Sequence, residues 1–274
     1  MVILKMAQNK RTLSYRAESC PFCNSNAISL FLCKLSIRRC SACGLLFKDV
    51  PSSQGTFDKL FEDAWTDSFS HQDQTGAIEL DLARNYSQRL ISSLSVDNFN
   101  GLKILDFGAG RGSIITALAE LGADVYGIEP FGYNYLKGKG FKVFRGIQDI
   151  PEGLLFDGIV AINVIEHLLR PWEAISELYG HLNRGGWFFL ATPNVNSLNS
   201  RISASRWREY YNPSHIYFFN SGSIETIFNK VGFVQYTRLR WYIEYKKNLL
   251  LKILHYLLQF FKLDGELRYL LRKK

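Results

Sequence analysis

The sequence predicts an α/β protein, a parallel sheet covered by helices on both faces, preceded by a small metal-held module. Three observations carry this reading. From Lys103 onward, short apolar runs alternate with helix-like segments. The first apolar run is joined to the first helix by the turn Gly108-Ala109-Gly110-Arg111-Gly112. Four of the five cysteines fall in two C-x2-C pairs near the N-terminus.

Cys20-Pro21-Phe22-Cys23 and Cys40-Ser41-Ala42-Cys43-Gly44 are separated by sixteen residues that carry Ile28, Leu30, Phe31 and Leu32. Zinc takes four soft ligands in a tetrahedron, and each C-x2-C turn supplies two thiolates from one side. Four cysteines leave no open position, so a zinc held by Cys20, Cys23, Cys40 and Cys43 is expected to be structural. Gly44 stands where a tight turn needs positive φ. The alternative is a set of reduced buried thiols. Cys33 is expected to be a buried packing cysteine.

Pro51 to Gly55 has the composition of a linker. Phe57, Leu60, Phe61 and Trp65 follow as an apolar cluster. Ala77 to Leu94 reads as a helix with Ile78, Leu82, Tyr86, Leu90 and Ile91 on one face. It either packs on the next domain or lies over a substrate pocket as a lid.

Lys103 to Phe107 is the first strand, with Asp106 near its end. Ser113 is placed to cap the helix carrying Ile114, Ile115, Leu118 and Leu121, which ends near Gly122. Val125 to Ile128 is the second strand, closed by Glu129. Lys142 to Phe144, Phe156 to Ile162 and Trp187 to Ala191 follow as strands, with a helix over Trp172 to Leu182. Ligands of such sheets bind at the carboxyl ends of the strands. The glycines of the turn let a ligand approach the backbone. Glu129, about twenty residues on, can accept both hydroxyls of a ribose. An adenosine cofactor fits this arrangement. The dinucleotide pattern G-x-G-x-x-G is not met, because Ser113 holds its third position. Asp106 would repel a pyrophosphate but suits an ammonium group. S-adenosylmethionine is therefore expected rather than NAD.

These segments together resemble the class I S-adenosylmethionine-dependent methyltransferases. Leu105-Asp106-Phe107-Gly108-Ala109-Gly110-Arg111-Gly112 looks like their first motif, and Glu129 matches their ribose-binding acid. Phe131 lies near where members cover the adenine. Phe156 to His167 is similar to the fourth-strand motif of the ubiquinone-type branch, including its Glu166-His167 pair. Leu182-Asn183-Arg184-Gly185-Gly186 resembles the L-K-P-G-G turn before the fifth strand, with Arg184 in place of proline. Thr192-Pro193-Asn194, Pro213 to Phe219 and Gly232-Phe233 extend the likeness. The resemblance implies a Rossmann-like sheet of seven strands with helices on both faces. It implies a cofactor site built from Asp106, Gly108, Gly110, Gly112, Glu129, Phe131 and Asn163. Residues 1–50 would then form the zinc ribbon, 51–94 a linker and helical lid, and 95–274 the methyltransferase domain. Paired with such a ribbon, the chain looks like methyltransferases of sugar and surface-polysaccharide biosynthesis. These include sugar C-methyltransferases, whose further C-terminal domain this sequence does not show. The implied acceptor is a small molecule of sugar type.

A hydroxyl acceptor needs a base, and histidine titrates nearest neutral pH. Of the five histidines, His167 follows the fourth strand and His215 lies in a loop that could fold over the same mouth. One of them is expected to be the base, with Glu166 orienting or polarising its surroundings. The alternative is that each anchors its loop. His71, His181 and His255 belong to no motif.

Asn248 to Leu263 is apolar except for a stripe of Asn248, Lys252, His255, Gln259 and Lys262 at helical spacing. This helix either covers the fold or, with Lys246 and Lys247 beside it, meets a membrane or a partner subunit. Glu266 to Lys273 reads as a final strand, which in the resembling family inserts antiparallel.

Apolar residues make up 47% of the 274 and charged ones 21%, an ordinary globular composition. Met1 to Arg11 lacks the apolar core of a secretory signal, and no stretch reaches the roughly 18 apolar residues of a membrane span. A cytoplasmic location is expected. The net charge of +8 would attract nucleic acid, anionic lipid or phosphorylated molecules. A zinc-ribbon nucleic-acid methyltransferase or binder, or a non-catalytic subunit with the methyltransferase fold, is the weaker expectation. Lys34, Arg38 and Arg39 are a modest basic count, and no RNP-type aromatic motif accompanies them.

Overall fold

The structure, a computed structural model, describes residues 17–49, 62, 72–241 and 249–274. The segment carrying Pro51 to Gly55, Phe57, Leu60, Phe61, Trp65 and His71 lies outside the described residues, as do Lys246 and Lys247.

The module contributes three short strands, β1 (Ile28–Leu32), β2 (Ile37–Cys40) and β3 (Leu46–Lys48). Helix α1 (Gln72–Leu94) then leads into the alternating region. There β4 (Lys103–Phe107), α2 (Ser113–Ala119), β5 (Asp124–Ile128), α3 (Tyr133–Gly138) and β6 (Lys142–Phe144) form one half. The second half holds β7 (Phe156–Ile162), α4 (Pro171–Gly180) and β8 (Leu182–Pro193). After β8 come α5 (Leu198–Ser203), α6 (Arg208–Tyr211) and β9 (Tyr217–Phe218). The chain closes with α7 (Ser221–Val231), β10 (Gln235–Arg238), α8 (Leu249–Phe260) and β11 (Glu266–Arg272).

Seven strands form one sheet in the order β10-β11-β8-β7-β4-β5-β6. The strands from β8 to β6 run parallel, whereas β11 lies antiparallel between β8 and β10. This is the Rossmann-like seven-stranded sheet the sequence predicts. One apolar layer, with Leu105, Phe156, Phe188 and Tyr269, packs under α4 and α7. The other, with Tyr86, Leu90, Ile104, Leu118 and Phe189, packs under α1 and α2. Burial of both faces explains why the central strands read as near-continuous apolar runs. Among the described residues no helix is long and apolar enough to cross a membrane.

Three local expectations need correction. Ser113 does not cap α2. Gly112 takes the N-cap at φ 84°, a left-handed conformation suited to glycine, and Ser113 is already helical. Ile78 is 63% exposed, because α1 makes its core contact through its C-terminal half, at Tyr86, Leu90 and Ile91. Cys33 is exposed rather than packed inside, since it sits on a single 3-10 turn at the hairpin tip between β1 and β2.

β4 lies beside Gly158 of β7, and Trp187 of β8 crosses that glycine. A Cβ on Gly158 would stand 2.1 Å from Trp187 Cζ2, and the buried ring has no room to retreat. Gly158→Ala is expected to cost about 1–3 kcal/mol by overpacking. Urea unfolding followed by tryptophan fluorescence measures this as a lowered midpoint with an unchanged slope.

Candidate functional site

The glycine turn after β4 and the acidic end of β5 meet because the two strands are parallel neighbours. Phe107 pairs with Ile128, so the residues that follow each stand side by side. Glu129 is 6% exposed, and its carboxylate is held by main-chain donors. Oε2 accepts from Gly110 N at 2.9 Å, and Oε1 accepts from Phe131 N at 3.1 Å and Gly132 N at 3.2 Å. Burial pushes its carboxyl up, and the three N–H groups pull it back. Gly108 and Gly110 adopt φ of 81° and 50°. A Cβ on Gly108 would stand 2.3 Å from Val164 Cγ2, whereas a Cβ on Gly110 would meet nothing within 4 Å. Backbone at Gly110 thus borders open space.

Asp106 is the next-to-last residue of β4, just before the glycine turn. It is 2% exposed, and its Oδ2 has no hydrogen-bond partner. Burial, and secondarily Glu129, push its carboxyl up to about 8. An acceptor atom left unmet in this way is costly unless a ligand meets it. A cationic group at this position would satisfy it. The observation therefore fits the ammonium of S-adenosylmethionine, while Glu129 stands ready for a diol. Asn163, just past β7, holds φ 54°, in the left-handed region that asparagine tolerates better than most residues.

The 3-10 turn Ile165–His167 places Glu166 and His167 past the same sheet edge, and the loop before β9 brings His215 to them. The two imidazoles are 4.6 Å apart at centroids. His167 Nδ1 contacts the Ser214 carbonyl at 3.0 Å. His215 Nδ1 is 3.3 Å from Glu209 Oε2. Burial, then His167, Lys48 and Arg208, hold His215 down to about 3, so it stands neutral. His167 is also lowered by burial. Glu166 accepts from Thr192 Oγ1 at 2.9 Å through Oε2, its Oε1 is unmet, and burial raises it to about 8. It therefore stands protonated near neutral pH. A cleft of about 380 Å³ opens here, lined by Asn163, Glu166, Ser197, Asn199, Glu209 and His215. A second cavity, about 420 Å³, lies on the far side of the glycine turn between α1 and α3. There Glu79 pairs with Arg111 at 3.6 Å, tying the start of α1 to the turn.

Glu209 escaped the sequence reading. Five residues separate it from His215, and only the bend of α6 into the following loop brings the two together. Of the other three histidines only the side chain of His181 is described, and His71 lies outside the described residues. His181 Nδ1 contacts the Leu154 carbonyl, and the side chain of His255 lies outside the described residues.

The four module cysteines converge with all sulfurs within 4.8 Å of one another. Cys20 and Cys43 sulfurs are 3.7 Å apart, and Cys23 and Cys40 are 3.5 Å apart. A tetrahedron with metal–sulfur bonds of about 2.3 Å has edges of about 3.8 Å. The thiols are thus spaced for one ion. Both turns share a form. Asn24 N donates to Cys20 O and Gly44 N to Cys40 O, each at 2.9 Å, and Asn24 (φ 58°) mirrors Gly44 (φ 73°). Asparagine tolerates this region better than most residues, a signal the sequence offered at Asn24.

The module is joined to the histidine cluster. β3 pairs antiparallel with β9, Leu46 opposite Phe218 and Phe47 opposite Tyr217. Lys48 N donates to Ile216 O and Ile216 N donates to Glu166 O, both at 2.9 Å. Lys48 Nζ reaches Asn212 O at 2.7 Å, and Asn220 Nδ2 reaches Gly44 O at 3.1 Å.

A family model described as a methyltransferase domain matches residues 79–237. A ubiquinone biosynthesis O-methyltransferase of Rattus norvegicus is 33% identical over 114 residues, 36% of this chain and 33% of that protein. A tRNA U34 carboxymethyltransferase of Campylobacter hominis is 29% identical over 132 residues, 44% of this chain and 46% of that protein. The chain thus matches a third to a half of the length of these relatives. Among solved structures, a SAM-dependent methyltransferase from Archaeoglobus fulgidus superposes with a TM-score of 0.51 at 19% identity, over 73% of this chain and 100% of that one. The 1,6-didemethyltoxoflavin-N1-methyltransferase of Burkholderia thailandensis gives 0.54 at 14% identity, over 84% and 95%. Identities this low speak to the fold alone.

Proposed function

From the premise that this chain belongs to the methyltransferase domain family, we propose that it moves a methyl group from S-adenosylmethionine to a hydroxyl of a small, sugar-type acceptor. The observation that carries the reading is the unmet Oδ2 of buried Asp106, within electrostatic reach of the Glu129 carboxylate that Gly110 N holds. When bound, the cofactor supplies an electrophilic methyl group on a sulfonium. Asp106 would receive its ammonium and Glu129 its ribose hydroxyls. Gly108, Gly110 and Gly112 would keep the backbone close, Phe131 would cover the adenine, and Asn163 would face the methionyl end.

The acceptor would lie in the cleft of Asn163, Ser197, Asn199 and His215, whose donors and acceptors suit a polyhydroxylated ring. The name of the rat relative, an O-methyltransferase, supports transfer to oxygen. Within the cleft His215 would take the hydroxyl proton, and the Glu209 carboxylate would stabilise the imidazolium that forms. Glu166 and His167 would position that loop. The cysteine cluster would hold one structural zinc, and the ribbon it forms supports the sugar-biosynthesis reading. Residues 1–50 would be the ribbon, 51–94 the linker and lid, and 95–274 the transfer domain.

Calorimetric titration with S-adenosylmethionine tests this. Glu129→Ala is expected to weaken binding by at least roughly tenfold, since two hydrogen bonds to a charged acceptor are lost. The wild type also has a pH signature. Asp106 is protonated below about 8, and an ammonium prefers the carboxylate. Affinity should therefore rise from pH 6.5 to 8, by up to roughly tenfold per unit for one linked proton. Asp106→Asn should remove that slope. Binding of NAD instead, or of neither cofactor, would overturn the reading.

A further inference from the structure

Helix α8 is anchored to the fold through Gln259. Gln259 is 3% exposed, and its Nε2 donates to the Trp241 carbonyl. Leu198 N donates to Leu263 O at 2.8 Å, and Asn194 Nδ2 donates to Lys262 O at 3.1 Å and Asp264 O at 2.9 Å. These bonds fix the helix end to the tip of β8. The opposite face carries Ile253, Leu254, Tyr256, Leu257, Phe260 and Phe261, each between 45% and 64% exposed. At 3.6 residues per turn these side chains form one face. Scattered exposed apolar residues are ordinary, but a contiguous helical face of six marks an interaction surface.

The charge around that face selects the occupant. From Tyr245 to Leu263 the sequence holds no acidic residue, yet it holds Lys246, Lys247, Lys252 and Lys262. The Arg240 guanidinium lies 5.3 Å from the Phe260 ring centroid. A second copy of this chain would bring the same cations against these. An anionic surface would neutralise them. The helix has 12 residues, about 18 Å at 1.5 Å per residue, against a hydrocarbon core of about 30 Å. It is too short to span but long enough to lie in the interface, apolar face down.

We propose that the outward face of α8 seats the protein on an anionic lipid bilayer. Leu254, Leu257 and Phe260 enter the headgroup boundary, while Arg240 and Lys262 meet lipid phosphates. Gly265 and Glu266, five and six residues past the end of the helix, line the proposed acceptor cleft, so the seat brings that cleft toward the bilayer surface. The seat does not depend on the transfer chemistry.

Co-sedimentation of the full chain with phosphatidylcholine vesicles, with and without phosphatidylglycerol, tests the proposal. Partition is expected to be at least roughly tenfold stronger on the phosphatidylglycerol vesicles and to fall as salt rises. Leu254→Glu with Phe260→Glu should lose that binding by tenfold or more, with thermal unfolding and cofactor titration unchanged. Arg240→Glu with Lys262→Glu should abolish the preference for anionic vesicles and leaves the apolar face intact, should the first pair disturb folding. Equal, weak partition of the wild type on both vesicles would overturn the proposal. So would a stable dimer in solution that the Leu254/Phe260 pair dissociates.

Discussion

Replacing His215 with alanine is expected to lower turnover on the order of 100-fold or more, the usual worth of a positioned base, while cofactor affinity stays at the wild-type value. The side chain lines the cleft of Asn163 and Glu166, where the acceptor is proposed to lie, and not the glycine turn, so the two readouts separate. Glu209→Gln should lose less, because the base remains and only its partner at 3.3 Å changes. His167→Ala should act mainly through loop position, since its Nδ1 is occupied by the Ser214 carbonyl at 3.0 Å. The pH dependence of stability has a definite sign. His215 is held at about 3, below the ordinary 6.5. Between those values the unfolded chain binds the proton and the folded chain does not. Stability from this group is complete above pH 6.5 and is lost as pH falls toward 3. His215→Ala should therefore be less acid-sensitive than the wild type. Parallel losses of turnover and cofactor affinity would reassign His215 to the scaffold.

Cys20→Ser is expected to abolish metal binding and unfold residues 17–49. Apparent binding energies of structural zinc, about 10–16 kcal/mol, are folding energies for such modules. Elemental analysis should find about one zinc per wild-type chain and none in the variant. The loss should not stay local. β3 braces β9, and Ile216 N bonds Glu166 O at 2.9 Å, so turnover should fall with the metal even though no cysteine approaches the cleft. Limited proteolysis should expose the module first. A metal-free wild type that is fully folded would sink this expectation.

The parallel half of the sheet was legible because its strands are short, apolar and separated by glycine. β6 and β7 lie where the apolar runs stand, at Lys142–Phe144 and Phe156–Ile162. β8 begins earlier than its apolar run, at Leu182, because Leu182 pairs with Phe156 before a register shift at Gly158. A shift of that kind leaves no pattern in the residues. The cysteine cluster was legible from spacing alone, since C-x2-C turns are local. The pairing of β3 with β9 was not, because two residues of strand carry no period and the partners are far apart in the chain. Glu209 was missed because the bend after α6, which turns it toward His215, leaves no pattern in the residues. The outward face of α8 was visible as a stripe, but its direction depends on Trp241, whose carbonyl draws Gln259 inward.

The pairing of Leu46 with Phe218 also sets an order of events on the ribosome. The first cysteine turns emerge early and can take metal at once. Their sheet, however, has an open edge until some 170 further residues have been translated, roughly 10–30 s at ordinary elongation rates. During that interval β3 is an unpaired strand on a nascent chain, a template for wrong partners. The edge is short, and Lys48 stands at its end, which are two of the ways proteins discourage such pairing. A pulse-labelled chain arrested before Phe218 should bind metal yet remain protease-sensitive, and it should gain resistance only when the arrest point passes Phe219.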